Sequence, residues 1–402
     1  MQYVSGDPLF TKAKNINKQI PYLTQDISTD VIIVGGGVTG AILAYYFTKN
    51  NIECVLLEKA RIGHCSTSIT TSLLQYELDG NVENLKEYTT LDNVIQSYRI
   101  GQTAIRELSE FINQHGNICD YEVKDTLLYT AKNIEKKIIE QEYKTRKQYG
   151  FDVSFIDESN NPFCFDLKAG LYSNMGGAQL DPYKYTHHLL DVSIAMGLKA
   201  FENTEVINVE YLDDKVVAET IYGNKVCGKK LIVATGYNTK LFTDRKFGIN
   251  SITYNIVTKP IQDFSGWHKK CLIRDTSDPY NYLRTTWDNR IIIGGEDTDC
   301  IEDINNNKIT SKKYDTLEQR LKNMFKDKNI DIECKYCGVF ASTNDNLGFI
   351  GADTKHKNLW YCLGYGANGL LFAILGGMML SKLYQGHKDE NLKLFSPDRF
   401  DN

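Results

Sequence analysis

Three glycines set between two apolar runs are the residues whose type and spacing most directly imply chemistry. In DVIIVGGGVTG the pattern G-x-G-x-x-G falls on Gly35, Gly37 and Gly40, with Val38 and Thr39 between the last two. A β-branched run precedes it, AILAYYFTKN follows, and IECVLLEK closes on Glu58 and Lys59. In such a strand, turn, helix, strand unit the first glycine makes the tight turn. The second lets backbone approach a pyrophosphate, and the third lets helix pack on strand. The helix start adds free N–H groups and the positive end of a dipole, which favour an anion. Glu58 is placed to accept from a ribose hydroxyl, and an acid there disfavours a 2′-phosphate, so NADP is set aside. The expected ligand is a dinucleotide, NAD or FAD.

Two features favour FAD. An NAD domain normally runs straight into another strand and helix, whereas here the chain continues as KARIGHCSTSITTS, polar and rich in hydroxyls. Such a segment suits a path along a diphosphate and a ribityl chain. Far later, NLWYCLGYGANGLLFAILGGMML reads as a strand, a glycine-rich turn and a helix. It supplies a second helix start of the anion-holding kind, and two such ends suit a long cofactor gripped at both extremities. Between them KKLIVATGYN gives a β-run ending at Ala234, Thr235 and Gly236.

The blocks together resemble the FAD-dependent oxidoreductases of the D-amino-acid oxidase, glycine oxidase and sarcosine oxidase family, nearly from end to end. DVIIVGGGVTGAILAYYF, TEVINVE, LIVATGYN and STNDNLGFIG with NLWYCLGYGANGLLFA stand in that family's order. A finer resemblance, carried by GHCSTSITTSLLQY, YLRTTWDNRIIIGGEDTD, ITSKKYDTLEQRLKNMF and LFSPDRF, is to the amine-oxidase-like region of bacterial flavoproteins that often carry a Rieske domain. A Rieske centre needs paired Cys and His motifs; the sequence holds none, and the expectation is a form without the cluster.

The resemblance implies an α/β fold: a Rossmann-like, GR2-type FAD-binding domain with a discontinuous mixed-sheet α+β substrate domain. It implies that Gly35, Gly37, Gly40 and Glu58 hold the ADP half, with Val38, Thr39 and Lys59 beside them. Arg61, Thr67, Ser68, Thr70 and Thr71 would lie by the diphosphate and flavin, and Val206 would meet adenine through its backbone. Thr235 and Gly236 would close the nucleotide side. Gly366, Asn368, Gly369 and Leu370 would meet the pyrimidine edge of the flavin, where a helix start stabilises negative charge.

Departures from the family pattern bear on the substrate. The closing motif has Asn344, Asn346 and Gly348 where the family has proline, glycine and proline. Five positions before Asp345, where many amino-acid oxidases of the family place a carboxylate-clamping arginine, this chain has Phe340. A bidentate arginine grip is a large part of amino-acid recognition. Arg284, in YNYLRTTWD, either supplies a replacement or forms a structural ion pair. Tyr254, Tyr282 and Tyr365 join it as candidate pocket residues. His64 and Cys65 are the side chains placed for covalent flavin attachment, though non-covalent binding is expected.

These groups need a scaffold to position them. The expected FAD-binding part comprises residues 1–92, 175–245 and 335–402, and the substrate part residues 93–174 and 246–334. NVIQSYRIGQTAIRELSEFINQHG and NIEKKIIEQEYKTRKQYG have helical periodicity. CDYEVKDTLLYTA alternates like a strand, and LDPYKYTHHLLDVSIAMG opens on an Asp-Pro helix signal. His187 and His188, adjacent on that helix, point apart. Cys334 and Cys337 have CxxC spacing in a strand-like run that sends them to opposite faces, so a metal site is not expected.

The bulk composition is that of an ordinary globular protein: 402 residues, 42% hydrophobic and 24% charged. A formal charge of -5 gives no basic field for nucleic acid. No run reaches the roughly 18 apolar residues of a membrane span. The N-terminus has no secretory pattern, and the ten cysteines are expected as thiols in the cytoplasm. The expected activity is FAD-dependent oxidation of a C–N bond in an amine or amino acid, by hydride transfer to flavin N5. The acceptor that re-oxidises flavin is open between oxygen, a quinone and a carrier protein. The alternatives are FAD-dependent oxidation of a polyol or hydroxy acid, and a flavin-binding or electron-transfer protein that is not a catalyst.

Overall fold

The structure is a computed structural model and describes residues 3–12, 19–299, 304–326, 328–366 and 368–401. In chain order the first third contains β1 (Val4–Gly6), α1 (Leu9–Lys12), β2 (Ile27–Val34), α2 (Val38–Lys49), β3 (Cys54–Leu57), α3 (Ser66–Ile69), β4 (Leu73–Gln75), α4 (Val82–Leu85), α5 (Leu91–His115) and β5 (Glu122–Thr130). Next come α6 (Lys136–Gln148), β6 (Val153–Asp157), β7 (Ala169–Gln179), α7 (Pro182–Ala195), β8 (Lys199–Phe201), β9 (Val206–Tyr211), β10 (Val216–Thr220) and β11 (Lys225–Val233). The remainder is β12 (Ile249–Thr258), β13 (Leu272–Asp275), β14 (Asn281–Thr285), β15 (Ile291–Thr298), α8 (Asn307–Met324), β16 (Ile332–Ser342), β17 (Phe349–Ala352), β18 (Leu359–Leu363) and α9 (Gly369–Tyr384).

Among the described residues the strands form two sheets. One runs β17-β18-β11-β2-β3-β8, with β10 joining β11 to β9. Its centre is parallel: β2 pairs in register with both β3 and β11, and β11 with β18. Parallel strands with helices over them are buried on both faces, which explains the unbroken apolar runs VIIV and CVLL. The helices over this sheet are apolar all round. Every residue from Gly40 to Thr48 of α2 is buried, and α9 is buried from Leu370 to Gly377.

The second sheet is ordered β1-β16-β12-β15-β14-β13-β5-β7-β4, with β6 on β7, and is mainly antiparallel. Three of its strands come from stretches expected in the FAD-binding part: β1, β4 and most of β16 pair here, because ladder hydrogen bonds and not chain proximity decide membership. Conversely, the core of α5 is continuous with that of α2 and α9, although residues 93–174 were expected with the substrate part.

The helix boundaries follow local rules. Thr90 caps α5, its hydroxyl accepting from Asn93 N at 3.2 Å, and Gly116 at φ 92° ends the helix. Val94, Tyr98, Ile105, Leu108 and Ile112 give it one buried stripe. Asp181 caps α7 by accepting from Tyr183 N at 3.0 Å and Lys184 N at 2.9 Å, with Pro182 in the first turn. Cys334 and Cys337 lie on β16 in separate apolar clusters, on opposite faces of the strand.

A buried charge network ties α6 to the segment after β4. Arg146 is wholly buried, 2.8 Å from Glu142 and 3.5 Å from Glu77. Glu142 also accepts from Val82 N at 2.7 Å and Tyr98 Oη at 3.2 Å. Such a network holds a unique arrangement only while all its members are present.

Candidate active site

One cavity runs between the two sheets, and the glycine turns stand at its walls. At the first turn Gly35 has φ +114°, and a Cβ there would lie 2.4 Å from Ala234 O. A Cβ on Gly40 would lie 1.9 Å from Gly35 O. The second turn repeats the device. A Cβ on Gly369 would lie 2.5 Å from Gly364 O, and one on Gly364 would lie 2.2 Å from Gly369 O. Both turns are folded so tightly onto the helix that follows that a side chain has no room. Gly35, Gly37, Val38 and Thr39 line the cavity from the first turn and the start of α2; Gly364, Gly366, Gly369 and Leu370 line it from the second turn and the start of α9.

The other walls join these turns. Glu58, Lys59, Glu205 and Val206 flank one end. Glu58 accepts from Gly36 N at 2.7 Å and Ala60 N at 2.9 Å, and burial raises its pKa against the opposing pull of those amides. Thr67, Thr70 and Thr71 line the middle, where Thr67 Oγ1 accepts from Val38 N at 2.9 Å. Thr235 and Gly236 complete that side from the end of β11. The cavity is thus long, walled by two helix starts, and bordered by hydroxyls and an acid, which fits a molecule with a diphosphate in its middle.

Four of the expected cofactor residues stand outside the lining. Gly40 acts through packing. Arg61 is exposed. Ser68 is buried and donates to Cys65 O at 2.7 Å. Asn368 precedes α9 and donates through Nδ2 to Glu77 O at 2.7 Å, leaving Oδ1 buried without a partner. Of the covalent-attachment candidates, Cys65 lines the cavity, whereas His64 sits 3.1 Å from Tyr183 Oη.

The far end is closed by the second sheet. Tyr282 is the one expected pocket residue that reaches it. Arg284 does not line the cavity and takes the structural role: it is 3% exposed, and its guanidinium donates to Thr71 O, to Thr285 O at 3.1 Å and to Leu180 O at 2.9 Å. Three backbone carbonyls take three of its five N–H donors, one from each nitrogen, and hold the group in the wall behind the cavity. Burial pushes its pKa down to about 10. Tyr254 is fully buried, its hydroxyl 3.1 Å from Thr298 Oγ1 on the neighbouring strand. Tyr365 donates to Gly236 O at 2.9 Å and packs on Phe349 and Tyr237, pinning the second turn to the end of β11.

The groups that do reach this end are Asp79, Thr253, Arg274, Tyr280, Tyr282, Asp297 and Phe340. Arg274 comes from β13, where it pairs directly with Tyr282 of β14. Its Nη1 donates to Leu78 O at 3.1 Å and Asp79 O at 2.9 Å and lies 3.4 Å from Asp79 Oδ1, while Nε has no partner. Asp297 is placed by a β-bulge. Ile252 pairs with Thr298 and Tyr254 with Gly295, so Glu296 and Asp297 together oppose Thr253. Glu296, at φ +59°, pairs with Arg320 at 2.6 Å and Lys313 at 3.3 Å on α8. Asp297 is left facing the cavity with Oδ1 unpartnered. Burial, with the charge of Asp79 adding, raises its pKa to about 7 despite a hydrogen bond from Thr253. Sequence offered a faint signal for Arg274, a lone cation closing the apolar run CLIR. It offered none for Asp297, whose aim depends on the bulge.

The arrangement agrees with what the chain is similar to. A Bacillus subtilis (strain 168) protein named as a Rieske 2Fe-2S iron–sulfur protein, YhfW, is 22% identical over 94% of this chain and 73% of its own length. Gamma-glutamylputrescine oxidoreductase of Escherichia coli (strain K12) is 23% identical over 93% of this chain and 88% of its own. The crystal structure of glycine oxidase from Geobacillus kaustophilus superposes with a TM-score of 0.75 at 17% identity, covering 92% of this chain and 98% of that one, and so shares the fold. A family profile described as FAD dependent oxidoreductase matches residues 30–383, which span both glycine turns and every strand between them. The chain belongs to the FAD dependent oxidoreductase family.

Proposed function

We propose that this FAD-dependent oxidoreductase oxidises the C–N bond of a small amine or amino acid. One observation carries the reading: the cavity lined by the two glycine turns is lined also by a group of charged and phenolic side chains, Asp79, Arg274, Tyr280, Tyr282 and Asp297, able to recognise a small polar molecule. Bound FAD supplies an acceptor for the electron pair of the C–H bond next to nitrogen. The chain's residues divide the remaining work. The starts of α2 and α9 hold the cofactor's anionic parts, with Thr67, Thr70, Thr71, Thr235 and Gly236 along its length. Glu58 and Val206 bound the adenosine end. The second sheet excludes bulk water and orients the substrate.

The named activities of the relatives support this choice. Gamma-glutamylputrescine oxidoreductase and glycine oxidase both bear names of nitrogen compounds. The same reading assigns the enzyme to the cytoplasm, in keeping with thiols such as Cys54, Cys119, Cys271 and Cys362 being free and buried. Anaerobic titration of the FAD-loaded protein tests it. Bleaching of the flavin absorbance by an amine or amino acid, with the carbonyl product recovered, is the expected result; bleaching by hydroxy acids or polyols alone would transfer the activity to a C–OH bond.

A further inference from the structure

The wall at the end of the cavity has a definite charge balance. Among the described residues it carries one cation, Arg274, and two acids, Asp79 and Asp297. The Arg274 charge is answered on the spot by Asp79 and by two backbone carbonyls, so this pair is close to neutral as a unit. Asp297 has no such answer. The charge of Lys313 acts on it, but that lysine is committed to Glu296 on the other side of the bulge. Its neighbours in the cavity are phenol rings: Tyr280 and Tyr282 both sense its charge, and Thr253 holds one of its oxygens. The lining also includes Phe340, apolar and unable to grip an anion. A carboxylate with a buried, unpartnered oxygen beside two phenol rings is a surrounding suited to an organic cation, since charge pairing and the negative ring faces act together.

We propose that the pocket selects an organic ammonium, held by Asp297 beside the rings of Tyr280 and Tyr282, in preference to an α-amino acid held by its carboxylate. The inference rests on the C–N reading above and narrows it to amines whose recognition element is positive charge. Arg274 then serves to hold the Leu78–Asp79 segment against the cavity. It is not the substrate's clamp.

Two probes that share a tert-butyl body and carry opposite charge separate the possibilities: tert-butylammonium and pivalate. The ammonium has no hydrogen on the carbon next to nitrogen, so it binds without being consumed. Calorimetric titration of the FAD-loaded protein at pH 8 and constant ionic strength is expected to show the ammonium binding at least about tenfold more tightly than pivalate. Asp297→Asn should abolish the preference and Asp297→Glu should keep it. Pivalate binding as tightly as the ammonium, neither probe binding, or a preference surviving in D297N would each overturn the proposal. The wild-type comparison needs no variant, so a misfolded mutant leaves the test intact. Failure of the C–N reading shows separately, as flavin that no amine bleaches while tert-butylammonium still binds.

Discussion

Arg274 stands directly opposite Tyr282 in the antiparallel pairing of β13 with β14, and both side chains line the cavity, whereas Arg284, two residues beyond Tyr282, is spent on three backbone carbonyls. The same strand therefore carries a pocket residue and a structural rivet on one face. What separates them is the loop after α3, whose Thr71 carbonyl reaches Arg284 and closes the cavity there.

Arg284→Leu should behave as a stability mutation. It leaves the carbonyls of Thr71, Thr285 and Leu180 without their donor in a buried place, at a cost of about 3 kcal/mol or more. Urea denaturation should show the loss, while the folded fraction keeps its affinity for tert-butylammonium within about twofold. Weakened binding with unchanged stability would return Arg284 to the pocket.

Gly40→Ala should disable the first turn. The new Cβ would stand 1.9 Å from Gly35 O, a backbone atom that cannot step aside alone. Overpacking of this kind costs about 1–3 kcal/mol, and it displaces the turn that carries Gly35 and Gly37. The expected outcome is a lowered Tm and protein purified with little flavin, read from the ratio of flavin to protein absorbance. A fully yellow G40A would show that the turn tolerates the shift.

Arg146→Met should be the most damaging of these changes. It strands Glu142 and Glu77, each with a side chain 1% exposed, as uncompensated buried acids. Removing one partner from such a cluster costs about 3–5 kcal/mol. Because Glu77 O also receives Asn368 Nδ2 at the start of α9, flavin retention should fall with stability. A melt that leaves Tm within a degree of wild type would mean that the acids find other partners.

Asp297 gives stability a pH dependence of defined sign. Its pKa is about 7 in the fold against about 4 in an unfolded chain. The folded state thus binds the proton more tightly, so this residue's contribution to stability is fully present below pH 4 and is lost as pH rises to 7. The groups acting on it are Asp79 on the segment after β4, Tyr280 and Tyr282 at β14, and Glu296 with Lys313 across the bulge, and Arg274 on β13 shares its cavity. Asp297→Asn should remove the penalty, raising Tm more at pH 8 than at pH 4. Equal gains at both pH values would show that Asp297 ionises normally.

Much of the cofactor half was legible in the residues because its signals are local. A tight turn, the glycine it needs and the helix start behind it lie within a few positions, and Gly35 to Gly40 and Gly364 to Gly369 obey the same steric rule at both ends of the chain. Single residues within those blocks were less readable. Ser68 and Asn368 turn their polar atoms to neighbouring backbone, and Arg61 to solvent, because side-chain direction depends on what packs nearby.

By itself the amino-acid sequence determined the two tight glycine turns, the buried parallel strands between them and the family to which they belong. Each follows from short-range sterics and from apolar periodicity, which neighbouring residues set. The tertiary structure alone decided which charges face the cavity. Arg274 reaches the cavity through a cross-strand pairing, Arg284 is taken by a distant loop, and Asp297 is turned inward by one bulge between β12 and β15. Such choices depend on register between strands far apart in the chain, and a shift of one residue sends a side chain to the opposite face.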